Sequence, residues 1–345
     1  MNDCWYKDLN DYEGNWQGLE ITVISGGFRS LEMRTGKNGR MALYINGSIQ
    51  FWATMLKDHS GIWLVNNVDH PNPRLSLPPI RSSDIEKAHR ESPSNTINYW
   101  SRYFARSLTE DSSMFLSSGN WILQPMEPTR PITPYEIKQN KLSKSWQFYS
   151  PKEKANVSLP WSLHSEDFPN LLNPEHIYYI DWWWERDKLL SRYSVSSDSA
   201  RVKWWRKKSR EGTLPPILVW FVTGLASFVI LDGHERLQAA LLENIPPRFL
   251  VLSQLGNRVY SPNEDNRSRV LNSLAIQQQK CKNNISAIDA INNTLIKLYD
   301  TRYFFPITFT RVLLGDGSIW EDEVRNYLLH HRQEKHLKNI LFRER

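Results

Sequence analysis

The chain has 345 residues, with 43 lysines and arginines against 37 aspartates and glutamates, a formal charge of +6, 15 tryptophans and two cysteines. One hydrophobic core rarely grows past about 250–300 residues, so the length predicts more than one core, and so small a charge excess favours polyanions only weakly. Cys4 and Cys281 are too few for a disulfide framework or a cysteine-only metal cluster, which fits a reducing compartment with the cytoplasm as the default expectation.

No basic-then-apolar leader opens the sequence. The longest apolar stretch, Ile217 to Leu231, is broken by Thr223, Gly224 and Ser227, so it reads as two strands joined at Thr223-Gly224 and not as a membrane span.

Residues 18–66 alternate apolar runs with turn signals at Gly26-Gly27, Gly36 to Gly39, Asn46-Gly47 and Asp58 to Gly61. Asn46-Gly47 is the strongest hairpin signal among them. The pattern predicts an antiparallel meander of about five strands, curled as a small barrel or half-barrel. Asp58-His59 and Asp69-His70 read as solvated turn residues in preference to metal ligands. Residues 71–82 are proline-rich, Ser83 to Leu108 predicts a helix interrupted near Ser92-Pro93-Ser94, and Pro125 to Pro134 predicts an extended connector. Residues 135–170 carry weak signals, and the domain boundary is expected between 150 and 175.

His176 to Asp181 reads as a strand, followed by a helix from about Trp182 to Tyr193. Adjacent helical residues project about 100° apart, so Trp182, Trp183 and Trp184 cannot all point inward, and at least one should meet another domain, a ligand or a partner. Arg201 to Arg210 interleaves six cations with Trp204 and Trp205. Lys203, Trp204, Trp205, Arg206, Lys207 and Lys208 are candidates for contacting a base or single-stranded nucleic acid. A solvated amphipathic helix with Trp204 or Trp205 in the core explains the same residues.

The most informative stretch is Phe228 to Leu252. Phe228 to Leu231 is a short buried strand ended by Asp232-Gly233, and Asp232 with Glu235 has the spacing of a capping box. Leu237, Ala240 and Leu241 share one helical face, the helix stops near Asn244, and Pro246-Pro247 precede a second strand at Arg248 to Leu252. A strand–turn–helix of this kind presents Gly233, His234 and Glu235 at the positive end of the helix dipole with the Arg236 fork beside them, an anion site of the kind that phosphate most often fills, while an arginine that merely pairs with the cap gives the same pattern.

LDGHERLQAA resembles the G-x-x-R-x-x-A box of the ParB/sulfiredoxin-like superfamily, with Gly233, Arg236 and Ala239 at the marked positions. Glu211 to Val219 resembles the family's incoming strand and Ile245-Pro246 its exit, so the likeness spans about residues 176–270. It implies a phosphate site at the box, an NTP cofactor with Mg²⁺, and NTP hydrolysis or nuclease activity on nucleic acid, in DNA processing or phage defence. Asp232, His234 and Glu235 become candidate catalytic residues for metal or water positioning, and Gly233 and Arg236 the phosphate ligands. Asp265 to Arg269 loosely resembles the family's E-N-x-x-R element, which adds Asn266 and Arg269 as nucleotide ligands. A related D-G-H-H-R form belongs to a free-serine kinase; Asp232, Gly233, His234 and Arg236 match it and Glu235 departs from it. Sulfiredoxin chemistry needs a cysteine in the box, which is lacking, and no clear helix-turn-helix follows it as a partition protein requires.

Beyond the box, Ser261-Pro262 opens a helix to about Lys280, residues 285–300 suggest another, and Tyr303 to Leu314 a strand. Ser318 to Glu321 has a second capping-box pattern, starting a helix through about Phe342 with Val324, Tyr327 and Leu328 on its apolar side. His330 and His331 point in different directions, which argues against a metal pair. The expected architecture is α+β: a β-rich antiparallel domain over 1–160, a ParB/sulfiredoxin-like mixed α/β domain over 170–270, and a mainly helical extension over 271–345. Two other readings stay open, a small-molecule kinase using the same phosphate site and a non-catalytic module that binds a protein through the surplus tryptophans.

Overall fold

The computed structural model describes residues 4–11, 14–25, 30–69, 77–93, 96–109, 115–129, 146–149, 161–183, 187–259, 263–280, 284–299 and 302–345. Gly26-Gly27, His70, residues 71–76, Ser94, 130–145, Trp184, Ser261-Pro262 and Cys281 lie outside the described residues. The fold is α+β with a β-rich N-terminal region.

Two sheets carry the first unit. One runs β10 (Ile177–Asp181), β6 (Gly61–Asn66), β5 (Ser48–Met55), β4 (Arg40–Ile45), β3 (Leu31–Thr35) and β16 (Thr310–Val312). The β4–β5 hairpin turns at Asn46 (φ 52°) and Gly47 (φ 74°), the left-handed pair that the right-handed strand twist requires and that Asn-Gly supplies with little strain. The other sheet runs β1 (Cys4–Asn10), β2 (Trp16–Val23), β7 (Gly119–Thr129), β14 (Phe249–Val259), β12 (Ile217–Val222), β13 (Ser227–Asp232) and β11 (Lys188–Leu190), with β8 (Gln147–Tyr149) on β7 and β9 (Ser162–His164) on β8.

This topology corrects the expected barrel, because β2 joins the second sheet while β3 to β6 stay in the first. It also corrects the boundary near 150–175. Strand β7 pairs with β14, Leu123 opposite Leu252 and Gln124 opposite Val251, so the segment before 160 and the segment bearing the box share a sheet. The chain divides instead into Met1–Ala155, Leu159–Leu255 and Pro306–Arg345 as one unit and 256–305 with 156–158 as another. Pro125 falls inside β7 where a connector was expected, since Trp121, Ile122, Leu123 and Met126, all nearly inaccessible, gain more from burial than a proline costs in one ladder position.

Central strands β12 and β13 read ILVWFV and SFVILD, and every residue but Asp232 is buried. Such continuous apolar runs belong to strands covered on both faces. Helices α1 (Ser82–Glu91) and α2 (Thr96–Thr109) flank the interruption expected at Ser92-Pro93. Helix α3 (Ala200–Arg210) packs against α4 (His234–Glu243), the helix of the box.

The described residues of 182–193 form no helix. The Trp183 N–H donates to the Asp181 carboxylate, a local turn, and Lys188–Leu190 pairs parallel with β13 as β11. Trp182 is 37% and Trp183 74% exposed, so these two do not point inward together.

The second unit holds α5 (Glu264–Lys280), α6 (Ile285–Tyr299) and most of β15 (Arg302–Ile307), which pairs with β14. In the first unit, α7 (Ser318–His330) and α8 (Leu337–Phe342) cover the first sheet through Trp320, Val324, Leu328 and Ile340 against Ala42, Tyr44, Trp52 and Val65. The helix expected to run to Phe342 therefore breaks at His331 and resumes. Among the described residues no helix is long and apolar enough to cross a membrane.

Candidate functional site

The strand, turn, helix and strand expected at the box are all present. Helix α4 begins at His234, one residue later than a capping box on Asp232 requires, and its N-cap is Gly233 at φ 110°. No side chain caps it. The Arg236 Nη2 donates to the Asp232 carboxylate at 2.6 Å and to the Pro216 carbonyl at 3.1 Å. A charge-assisted bond to a guanidinium outcompetes a neutral main-chain donor, so Asp232 leaves the capping role and ends β13 as an ion-pair partner. The same substitution of roles occurs at α7. Gly317 (φ 87°) is its N-cap, Ser318 donates to Asp316, and Glu321 pairs with Arg40.

Gly233 is needed twice over. Its φ lies in the left-handed region, and a Cβ there would stand 2.8 Å from the Arg236 Nη2. The guanidinium thus lies back across the turn, 3% exposed, with Trp205 5.5 Å and Phe104 6.0 Å from their ring centroids to its carbon. Its Nε has no hydrogen-bond partner among the described residues. Asp232 and Glu235 are both partly exposed at the same turn.

His234 is placed differently from the expected catalytic role. It is fully buried, stacked on Tyr193 at 3.9 Å between centroids, and its Nε2 accepts the Arg192 main-chain N–H at 3.2 Å. Directed inward from the first helical position, it packs the helix against Arg192 and Tyr193, just beyond β11, and cannot meet solvent. Arg192 itself escaped the sequence reading. Its Nε donates to the Ile230 carbonyl and its Nη2 to the Leu231 carbonyl, both at 2.7 Å, fixing the end of β13 just before the box. Burial pushes its guanidinium down to about 10, still charged at neutral pH. The only signal in the sequence was an arginine within the short apolar run around Leu190.

On α3, Trp205 is buried and Trp204 half-buried, with the Arg201 guanidinium 4.8 Å from the Trp204 ring. Much of the basic face is already answered by acids. Arg206 and Arg210 converge on Glu243 at 2.5 and 2.7 Å, Lys208 meets Glu211 at 2.7 Å and Lys207 lies 3.8 Å from it. Exposed Lys203 has no ion pair among the described residues. Asn266 and Arg269 belong to the second unit, both exposed on α5, where the Asn266 N–H donates to the Asn263 side chain as a helix cap.

A cleft of about 850 Å³ opens at the other end of α4, between Ile245 to Arg248, Thr96, Ile97 and Gly212. A smaller one of about 410 Å³ is lined by Ile180, Asp181, Trp182, Asp187, Thr223 and Gly224. In it, burial pushes the Asp187 carboxyl up from 3.8 to about 6, partly offset by the Ser162 N–H. The folded chain therefore holds this proton more tightly than the unfolded chain does. Its contribution to stability is full at low pH and is lost as pH rises from 3.8 to about 6. Asp187→Asn should remove that loss, raising stability at pH 7 relative to wild type by up to about 3 kcal/mol and leaving pH 4 little changed. Urea midpoints of both proteins at the two pH values test this.

Cys4, the one cysteine among the described residues, lies on β1 at one end of the second sheet, five strands from β13 and the box. Asp69, expected as a solvated loop residue, and His330 with His331 bring ligand atoms within 4.8 Å of one another. Comparison with known protein families, curated proteins and solved structures returned no match for this chain.

Proposed function

We propose that the chain is a phosphate- and nucleotide-binding protein of ParB/sulfiredoxin-like type, with its anion site at the N-terminal turn of α4 and with NTP hydrolysis or nucleic-acid cleavage as its activity. The observation that carries this reading is the Arg236 guanidinium lying back across Gly233. A cation at the positive end of a helix is held against the dipole, so the arrangement calls for an anion in front of it. Asp232 supplies one from within the chain, and its side chain is 33% exposed. A phosphate arriving from solvent takes the position of that carboxylate on the planar fork, the geometry for which arginine is suited.

Asp232, displaced from Arg236, and Glu235 at the surface of the same turn are the residues that would hold Mg²⁺, whose charge neutralises phosphate oxygens. His234 takes no direct part, because it is buried under Tyr193. Lys203 and Trp204 on α3 are the residues left to guide a nucleic acid or a base towards the turn.

Thermal shift with ATP, GTP, CTP, UTP and ADP in the presence of Mg²⁺ tests the site. Nucleotide at ~100 times its dissociation constant adds ~2.7 kcal/mol to the folded state. Wild type should be stabilised by at least one nucleotide, Arg236→Lys less so because it keeps charge without the fork, and Arg236→Gln not at all. Absence of stabilisation for the folded wild type by every nucleotide defeats the proposal and directs attention to the exposed Trp183 as a protein-binding residue.

A further inference from the structure

A second cluster of chemistry-bearing side chains sits where the loop after β6 meets the end of α7. We infer that Asp69, His330 and His331 form a binding site for a divalent transition-metal ion of the zinc class, independent of the phosphate site. Their ligand atoms all lie within 4.8 Å of one another, the span over which imidazole nitrogens and a carboxylate oxygen can close on one ion with bonds of about 2.0–2.2 Å.

His331 shows the clearest sign. Its Nε2 is buried and has no hydrogen-bond partner among the described residues, although the Asp69 Oδ2 stands 2.7 Å away. Two electron-rich atoms brought this close outside hydrogen-bond geometry are stabilised by positive charge between or beside them. A metal ion supplies it. The alternative source is a proton on His331, giving a simple ion pair.

The imidazole is held in place by packing. His331 lies 4.5 Å from the His176 ring and 4.3 Å from the Tyr327 ring, centroid to centroid. The Tyr327 hydroxyl donates to the Asn66 carbonyl at 2.5 Å and is 2.9 Å from the His176 Nδ1. Two rings, tied to each other through the Tyr327 hydroxyl, therefore fix one ligand before the ion binds, which reduces the entropy lost on coordination. Asp69 and His330 are exposed and reach the same point from a loop and from the helix end. The His330 and His331 rings are perpendicular, 4.9 Å apart, so the differing directions expected from sequence are real, and the third ligand from 261 positions away in the chain makes them converge. Imidazole with carboxylate suits zinc-class ions over the harder Mg²⁺, and three protein ligands leave a coordination position open to water.

The test uses the full chain stripped by a chelator at pH 7.5. Co²⁺ should give the visible absorption of nitrogen-and-oxygen coordination at one equivalent, and Zn²⁺ should displace it and raise the melting temperature. Asp69→Asn and His330→Ala, both at exposed positions and so expected to fold, should each weaken binding about 10-fold or more, while His59→Ala leaves it unchanged. If wild type gives neither the cobalt band nor a zinc shift, the proton explanation stands and the metal site is overturned. Binding undiminished in both ligand variants overturns it equally.

Discussion

Asp232→Asn should lose roughly 3–5 kcal/mol in anion-free buffer, because it leaves the Arg236 guanidinium, 3% exposed, without its carboxylate. Removing the arginine instead, as Arg236→Gln, should cost less in electrostatic terms, since the Asp232 side chain is 33% exposed and can turn to water. The asymmetry follows from where the uncompensated charge remains. Added phosphate or nucleotide should restore part of the stability of Asp232→Asn, and by more than it stabilises wild type, where the ligand must first displace a carboxylate. Chemical denaturation with and without millimolar phosphate measures both quantities. A variant that loses stability but gains nothing from any anion would mean that the Asp232–Arg236 pair is structural and that solvent phosphate has no access to the fork.

Trp320→Ala carries the other large effect. Trp320 is 2% exposed, its Nε1–H donates to the Met41 carbonyl at 2.8 Å, and it packs with Tyr44, Trp52 and Leu328 between α7 and the first sheet. Truncation opens a cavity and strands a carbonyl, at a cost of about 3–5 kcal/mol. That is a large share of the 5–15 kcal/mol typical of a folded protein. The neighbouring Ile319 is 73% exposed, so Ile319→Ala should change stability by no more than about 0.5 kcal/mol. Urea midpoints of the two variants, read with their m-values, separate loss of the α7 contact from a general loosening. Equal effects would show that α7 does not hold the sheet through its buried face.

The box illustrates what local pattern can convey. Apolar β12 and β13, the break at Thr223-Gly224, the stop at Asn244 and the strand after Pro246-Pro247 were all legible, because each depends on neighbours within a few positions. The roles of the charged residues were not. Asp232 and Glu321 have ideal spacing for capping, yet in the fold both carboxylates pair with arginines, Arg236 one turn on and Arg40 on β4. His234 reads as catalytic in a string of polar residues, and only the arrival of Tyr193, from the segment after β11, turns it into a core side chain. The six cations of α3 fit a nucleic-acid patch and a solvated amphipathic helix equally in sequence, and only the fold brings Glu243 and Glu211 to neutralise much of their charge.

By itself the sequence determined the local elements: the Asn46-Gly47 hairpin, the α1–α2 break, the strand–turn–helix at Gly233 and, among the described residues, the absence of long apolar helices, each set by periodicity or by a residue whose backbone preferences act within one turn. Tertiary structure alone decided which strands share a sheet, since β2, β7 and β14 meet across more than 200 residues. It also decided which carboxylate answers which cation and that Asp69 meets His330 and His331. Such pairings depend on distance in space between charges and rings, and a linear pattern carries no record of that distance.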